Sequence, residues 1–136
     1  MSSGVLVDTS VWSLGLRRGV NNPGYASELK KLIIESRVVL IGPIRQELLS
    51  GIASKEQFSN LRLRLGGFPD LPLGVGHFER AAELSDICRS KGIQGSHTDF
   101  LICAVAEMES LSIFTTDNDF SLFSGHIKVS MYKIRL

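Results

Sequence analysis

The sequence has few cysteines, no long apolar run and almost no excess of either charge. Only Cys88 and Cys103 occur in 136 residues, and their spacing fits neither a zinc site nor a paired redox motif. We therefore expect both to be reduced thiols in a cytoplasmic protein. No segment approaches the roughly 20 apolar residues of a membrane span, and the first residues lack the regions of a signal peptide. We therefore expect no contact with a membrane.

The overall charge says little about binding partners. There are 15 Lys and Arg residues against 14 Asp and Glu residues, so the formal net charge is +1. That balance neither requires nor excludes nucleic acid, although acids committed to a metal ion would leave the remaining surface more basic. Apolar residues make up 43% of the chain, which is enough for a core. The length suits one domain, which we assign to residues 1–136.

Apolar runs of strand length alternate with helical patterns along the chain. Strands are predicted at 4–7, 38–41 and 111–114, with one or two more within 127–134. Helices are predicted at 27–36, 43–52, 58–65, 78–91 and 96–110, with a short helix or turn at 119–123. A loop is expected between Arg17 and Gly24. The alternation predicts an α/β fold, a three-layer α/β/α sandwich around a mostly parallel sheet.

Apolar spacing also predicts how several helices face. In the 27–36 helix, Leu29, Leu32 and Ile33 are expected to lie on one side, with the charged residues facing out. Those charged residues are Glu28, Lys30, Lys31 and Glu35. Phe78, Ala82 and Ile87 lie roughly on one side of the 78–91 helix. The apolar residues of the 27–36 and 58–65 helices fit either the core or a subunit interface.

Five carboxylates follow predicted strands or open predicted helices, namely Asp8, Glu47, Asp99, Asp117 and Asp119. Ligands of an open α/β sheet bind outside the carboxyl ends of its strands, so these side chains are expected along one edge. Clustered carboxylates repel one another unless a divalent cation lies between them, and Mg²⁺ and Mn²⁺ prefer oxygen ligands. The pattern therefore predicts a metal-dependent hydrolase of phosphodiesters.

The aspartates also have ordinary structural explanations. Asp8 is explained equally well as a cap for the turn that follows it. Residues 96–99, Ser-His-Thr-Asp, fit a capping box, so spacing alone favours a structural role for Asp99, although both uses can coexist. Asp117 and Asp119 flank Asn118 in common turn chemistry. Only their combination along one predicted edge favours a metal site.

Glu47 is the more informative acid. It shares a helical stripe with Ile44 and Leu48, which normally faces the core. A buried carboxylate without a partner is costly, so Glu47 is expected to border a polar cleft or to bind a cation. Pairing with Arg45 is the less favoured explanation.

Four short motifs together resemble the PIN-domain ribonucleases. They are Val-Asp-Thr-Ser-Val-Trp at 7–12, Pro-x-x-x-Glu-Leu at 43–48, Asp-Phe-Leu-Ile-Cys-Ala at 99–104 and Thr-Thr-Asp-Asn-Asp-Phe at 115–120. No single motif is specific, but their ordered combination is, and it extends over essentially the whole chain. The sequence is most similar to the VapC-type toxins of prokaryotic toxin–antitoxin pairs.

The resemblance implies a Mg²⁺-dependent or Mn²⁺-dependent endoribonuclease, the toxin of a type II toxin–antitoxin system, which hydrolyses RNA with a metal-activated water. It also implies a homodimer and inhibition by a small antitoxin whose C-terminal segment covers the acidic cleft. The implied catalytic residues are Asp8, Glu47, Asp99 and Asp117. The implied metal ligands are Asp8, Asp99, Asp117 and Asp119, with Thr9, Ser10 and Thr115 holding the acids in place.

Arg17 and Arg18 closely follow the Asp8 turn and are candidate contacts for RNA phosphates, although basic residues usually form a solvated surface. A phosphatase of the haloacid dehalogenase type is disfavoured, since it needs an aspartate two residues after Asp8, where Ser10 stands. The alternative function is a catalytically silent PIN-like module that binds RNA or a protein. The presence of all four acids disfavours that alternative.

Overall fold

The computed structural model describes residues 4–16 and 23–135, in which three strands and seven helices alternate along the chain. The elements are β1 (Val5–Val7), α1 (Thr9–Leu16), α2 (Pro23–Ile34), β2 (Val38–Val39), α3 (Gly42–Leu49), α4 (Lys55–Leu65), α5 (Val75–Ser90), α6 (His97–Met108), β3 (Ser112–Phe114) and α7 (Asp119–Phe123). This is the predicted α/β class.

The sheet is parallel, with strand order β2-β1-β3. Val5 of β1 pairs with Val38 on one side and with Ser112 on the other. All three residues of β1 are fully buried, as expected for a central parallel strand covered on both faces by helices. The predicted α/β/α sandwich is therefore confirmed, and the carboxyl ends of β1, β2 and β3 lie at one edge.

The predicted strand within 127–134 is reduced to a single bridge between Met131 and Ile113. Its alternating apolar residues have another role, because Ile127 lies in the core and Val129 and Met131 pack against it. Their two-residue spacing is also that of a strand, and for this reason the sequence predicted a longer strand here.

Backbone chemistry explains where two helices differ from the predicted bounds. The helix expected to reach Ile52 ends at Leu49, and the chain turns at Gly51 with a φ of +82°, a conformation that glycine adopts at low cost. Helix α4 begins earlier than predicted because the Ser54 hydroxyl accepts a hydrogen bond from the Gln57 N–H at 3.2 Å. Gly66 then follows its last residue, as the sequence indicates.

Helix α6 is the central helix of the fold. Every side chain from Phe100 to Ala106 is buried, and α5 packs along it. Arg80 of α5 binds both carboxylate oxygens of Glu107 in α6, at 2.7 and 3.2 Å. The two helices are thereby held in one register, which fixes the first turn of α6 relative to α5.

The predicted faces of α2 are partly wrong. Glu28, expected to face solvent, is 1% exposed, whereas Ile33 is 37% exposed. The Tyr132 hydroxyl and the Arg135 guanidinium both donate hydrogen bonds to the Glu28 carboxylate. These partners come from more than 100 residues away in sequence, so no pattern within α2 indicates them.

The side of α5 that carries Phe78 and Ala82 faces away from the core. Phe78 is 54% exposed and Ala82 is also exposed. Leu84 and Cys88 are the buried residues of this helix, and Ala81 packs beside them. Helix α5 has two apolar sides, and the sequence does not say which one the core uses. No described helix is long and apolar enough to cross a membrane.

Candidate metal centre

Asp8 lies where β1 passes into α1. Its backbone N–H donates to the Phe114 carbonyl at 2.9 Å, and its carbonyl accepts from the N–H groups of Val11 and Trp12 at 3.0 and 3.2 Å. The Asp8 backbone therefore extends the sheet and also begins the helix. Its carboxylate has separate partners, since Oδ2 accepts hydrogen bonds from the hydroxyls of Thr115 at 2.8 Å and Ser10 at 2.9 Å.

The same two hydroxyls attach the loop after β3 to the turn after β1. Thr115 Oγ1 accepts the N–H of Asp117 at 3.0 Å, and Ser10 Oγ accepts the N–H of Thr116 at 3.1 Å. Each hydroxyl thus donates to Asp8 while it accepts from the neighbouring backbone. This network places the carboxylates of Asp8 and Asp117 on the same side of the sheet edge.

Asp99 has both of the uses that the sequence allowed. Its N–H donates to the Ser96 hydroxyl at 3.0 Å, and its Oδ2 accepts the Ser96 N–H at 3.1 Å, so the predicted capping box is confirmed. Burial raises the pKa of the Asp99 carboxyl, and the charges of Asp117 and Asp8 raise it further. The helix cap therefore also lies within the electrostatic reach of the other two acids.

Asp99, Asp117 and Asp119 each offer one carboxylate oxygen, and these oxygens all lie within 4.8 Å of one another. The Asp119 N–H donates to Asp117 Oδ1 at 2.9 Å, which restricts the Asp117 carboxylate. We call these three residues together with Asp8 the acid cluster. An all-oxygen, negatively charged donor set fits a hard divalent cation such as Mg²⁺ or Mn²⁺, which would relieve the mutual repulsion of these carboxylates.

Glu47 is not where the helical stripe placed it. Ile44 and Leu48 of α3 are buried, but Glu47 is exposed, because its side chain turns from the core toward the start of α1. There it accepts a hydrogen bond from the Thr9 hydroxyl at 2.7 Å. Thr9 precedes Ser10, so Glu47 is connected to the turn that holds Asp8.

Arg45, the alternative partner considered for Glu47, contacts other residues. Arg45 pairs with Asp70 at 3.0 Å and donates to the carbonyls of Leu65 and Phe68. It therefore holds the segment after α4 against α3. Asp70, which the sequence patterns did not single out, forms a bridge with Leu40 next to β2. Arg17 and Arg18 lie outside the described residues.

Sequence reasoning missed a groove that runs along α5. His97 and Thr98, directly before Asp99, line it together with Phe78 and Arg89 of α5. The available signal was the exposed apolar side of α5, which periodicity alone did not distinguish from a core-facing side.

Comparisons with known proteins agree with this fold. The family model of the PIN domain matches residues 5–125. FitAcB from Neisseria gonorrhoeae superposes with a TM-score of 0.77 at 25% identity, covering 95% of this chain and 96% of that one. VapBC2 from Rickettsia felis, solved with a DNA fragment from its promoter, gives 0.71 at 17% identity over 94% and 96%.

VapC20 from Mycobacterium tuberculosis, a toxin that cleaves the sarcin–ricin loop, gives a TM-score of 0.63 at 20% identity. That superposition covers 93% of this chain and 99% of the other. No protein of curated function matches the sequence. At 17% and 20% identity, the likenesses to VapBC2 and VapC20 concern the fold.

Proposed function

Because this chain belongs to the PIN domain family, we propose that it is a metal-dependent endoribonuclease and the toxin of a type II toxin–antitoxin pair. The observation that carries this proposal is the convergence of Asp99, Asp117 and Asp119 within 4.8 Å. These residues come from two separate elements and share one sheet edge with Asp8. The structural likeness to VapC20, which cleaves an RNA loop, supports a ribonuclease.

Asp8, Asp99, Asp117 and Asp119 would hold Mg²⁺ or Mn²⁺. When bound, such an ion supplies positive charge against the phosphate and activates water for attack. The hydroxyls of Ser10 and Thr115 restrict the rotation of the Asp8 carboxylate, because both donate to the same oxygen. The site is therefore held in a geometry ready for the cation before it binds.

Glu47 has a different role in the proposal. It is exposed, and the Thr9 hydroxyl holds its Oε2 at 2.7 Å. It is not one of the three acids whose ligand oxygens lie within 4.8 Å of one another. Asp8 is likewise outside that trio, but its charge contributes to the raised pKa of Asp99, after burial and the charge of Asp117. We assign Glu47 to proton transfer, with its carboxylate accepting a proton from the attacking water.

A second surface suits the proposed antitoxin. A groove of about 770 Å³ lies between α1, α2 and α4. The indole N–H of Trp12, which is 2% exposed, has no hydrogen-bond partner among the described residues, and Trp12 lines this groove beside Ile33, with Lys30 and Arg64 also on its lining. An antitoxin segment with apolar and acidic side chains and a free carbonyl fits this lining.

A structural neighbour from Klebsiella pneumoniae is a toxin–antitoxin complex, which supports a protein partner of this kind. The homodimer that the family resemblance implies is part of the same proposal. Sedimentation of the purified chain with and without its antitoxin measures both associations.

Cleavage of RNA under control of metal tests the proposed activity. Purified protein, free of antitoxin, is incubated with structured RNA and Mg²⁺ or Mn²⁺, with and without EDTA. We expect EDTA to abolish cleavage, and Asp8→Asn or Asp99→Asn to reduce it at least about 100-fold because each removes a proposed ligand. Glu56→Gln, which changes an exposed acid in the first turn of α4, is the matched control and retains full activity.

Two results contradict the proposal in different ways. Cleavage that persists in EDTA excludes the metal-dependent mechanism. If no RNA is cut and calorimetry shows no binding of Mn²⁺, the chain is the catalytically silent module, which binds RNA or a protein without hydrolysis.

A further inference from the structure

A groove of about 460 Å³ runs along α5, and none of the four aspartates of the acid cluster lines it. We call it the α5 groove. Arg80 of α5 pairs with Glu107 of α6 at 2.7 Å, and a Cβ on Gly76 would lie 3.4 Å from Met108 Cε. The start of α5 therefore lies at the end of α6 opposite Asp99. The α5 groove is consequently a surface separate from the candidate metal centre.

Six residues of α5 line the α5 groove at the spacing of one helical face. They are Phe78, Ala81, Ala82, Ser85, Asp86 and Arg89. The aromatic ring and the guanidinium lie at opposite ends, about 16 Å apart along the helix axis at 1.5 Å per residue, with small side chains between them. Phe78 is 54% exposed and the side chain of Arg89 is 69% exposed, so both ends are accessible to a partner.

This face of α5 is complementary to the same face of a second copy in the reverse direction. Two α5 helices that pack antiparallel about a two-fold axis between Glu83 and Leu84 bring the groove residues together in reciprocal pairs. The pairs are Phe78 with Arg89, Ala81 with Asp86, and Ala82 with Ser85. A guanidinium over an aromatic ring is a favourable contact, and the small central side chains let the helix axes approach closely. Contacts in which residue i meets j and j meets i are those of a two-fold homodimer.

Charge also favours the antiparallel arrangement. Glu79 is an exposed acid beside Phe78 near the start of α5, and Arg89 is an exposed cation near its end. Within one chain, Arg89 pairs with Asp86 at 3.8 Å, and both side chains are largely exposed. Reversal of the second helix places Glu79 of each copy beside the guanidinium at the end of the other α5. Opposite charges therefore meet at both ends of the contact.

The surface around α5 is broader than a single helix. Specific interfaces bury about 800 Å² on each partner, which needs contributions from neighbouring elements. Pro43 of α3 and His97 and Thr98 of α6 also line the α5 groove. Val75, which is 74% exposed, extends the apolar end of the helix by one turn. A second α5 helix would therefore contact three elements of this chain.

We propose that two copies of this chain associate through the α5 groove, with their α5 helices antiparallel and Phe78 of each copy packed against Arg89 of the other. This inference rests on the homodimer that is part of the proposed function, and it specifies the surface and the contact that form it.

The test uses two variants that disrupt the same contact from its two sides. Phe78→Lys places two cations against one another at both ends of the dimer, whereas Arg89→Glu removes the cation from both ends. Ile87→Lys is the matched control, because it changes another exposed apolar residue of α5 that does not line the groove. The dimer dissociation constant is measured by sedimentation equilibrium, and melting temperatures verify that each variant is folded.

We expect Phe78→Lys and Arg89→Glu each to raise the dissociation constant at least about tenfold, because each change occurs twice in a two-fold interface. Ile87→Lys should keep the wild-type value. An equal mixture of the Phe78→Lys and Arg89→Glu proteins should form a heterodimer, since one end then pairs Lys with Glu and the other keeps Phe with Arg. Its dissociation constant should be at least about tenfold below that of either variant alone, as measured by native mass spectrometry of the mixture.

Four results contradict the inference, and they are distinguishable. If the wild type is a dimer and Phe78→Lys stays one, the dimer uses another surface. If both variants are monomers and their mixture is too, the α5 helices do not pair Phe78 with Arg89. If Phe78→Lys abolishes binding of the antitoxin but leaves the dimer intact, the groove belongs to the antitoxin. If the wild type sediments as a monomer at every concentration, the homodimer of the proposed function fails and the inference fails with it, whereas RNA cleavage tests the nuclease independently.

Discussion

Hydroxyl groups decide how the acids of this site are arranged. Ser10 and Thr115 each donate to Asp8 Oδ2 and each accept a backbone N–H from the loop after β3. A hydroxyl can do both because it is a donor and an acceptor at once. An alanine at either position would remove one of the two hydroxyls that connect the Asp8 carboxylate to the loop. Positioning of the acids is therefore a property of these uncharged neighbours.

Asp99→Asn is expected to separate the structural role of this residue from its electrostatic role. Asparagine keeps an oxygen that can accept the Ser96 N–H, so the helix cap survives, while the charge is lost. Removing one of several mutually repelling carboxylates should leave the metal-free protein at least as stable as wild type. Affinity for Mn²⁺, measured by calorimetry, should fall at least about tenfold. A large drop in melting temperature would show instead that the charge itself supports the fold.

The same variant tests how pH acts on the site. Burial, followed by the charges of Asp117 and Asp8, raises the pKa of Asp99, so the folded protein favours its neutral form. Stability of the metal-free protein therefore falls as pH rises from the ordinary value through the raised one. Metal binding needs the ionised form of Asp99. When the pH is lowered, the affinity for Mn²⁺ should therefore begin to fall at a higher pH than it would with an aspartate of ordinary pKa. Asp99→Asn should lack this step in a pH titration.

At the level of the elements, the C-terminal segment stabilises α2 through contacts that the helix patterns did not predict. Glu28 of α2 accepts hydrogen bonds from Tyr132 and from Arg135 at 2.8 Å, and Arg135 also pairs with Glu35 at 2.9 Å. A buried carboxylate is tolerable only with such partners. The segment after Ile127 therefore holds α2 in place and compensates for the buried negative charge of Glu28.

Arg135→Ala should destabilise the protein by about 2 kcal/mol at neutral pH, since a buried carboxylate loses its cation. Burial raises the pKa of Glu28, but the hydrogen bonds from Tyr132 and Arg135 outweigh burial, and the net pKa is lowered. This stabilisation is present above the ordinary pKa and is lost as pH falls through the lowered one. The difference in the free energy of unfolding between wild type and Arg135→Ala should therefore become smaller at acidic pH, as measured by chemical denaturation.

Lys133→Ala is the matched control, because it removes an exposed positive charge from the same segment and should change stability by less than about 0.5 kcal/mol. A loss for Arg135→Ala that stays constant across the pH range would assign the effect to packing of the side chain rather than to its charge.

At the scale of the whole molecule, the distribution of charge matters more than its sum. The formal net charge is only +1, but four aspartates are gathered in the acid cluster. The remaining surface is correspondingly more basic, and a bound divalent cation would offset part of the negative charge of the acid cluster. A polyanion can therefore approach a chain that has almost no net charge.

Arg17 and Arg18, which the sequence identifies as candidate contacts for RNA phosphates, provide a test of how the charge is distributed. Changing both to alanine should weaken RNA binding and lower its salt slope by about two, because two phosphate contacts are lost. Changing Lys30 and Lys31 to alanine removes the same charge from exposed positions of α2 and should alter the slope less. Unchanged RNA binding at low salt after the arginine changes would exclude this contact.

The sequence determined the features that depend on neighbours within a few residues. The buried strand at Val5–Val7 and the cap pair Ser96 and Asp99 are present as predicted, and the short helix or turn predicted at 119–123 is a helix. Hydrophobic periodicity and capping act over one or two turns of chain, so they can be recognised without knowing what packs against them. Assignment of all 136 residues to one domain stays a prediction.

Only the tertiary structure decided which groups meet. It buries Glu28, exposes Glu47, turns Phe78 away from the core and brings the oxygens of Asp99 and Asp117 into one cluster. Each outcome depends on contacts between residues far apart in sequence, through strand register, helix packing and the final segment. Local patterns specify that a side chain is acidic or apolar, but distance and burial are set by elements that those patterns do not contain.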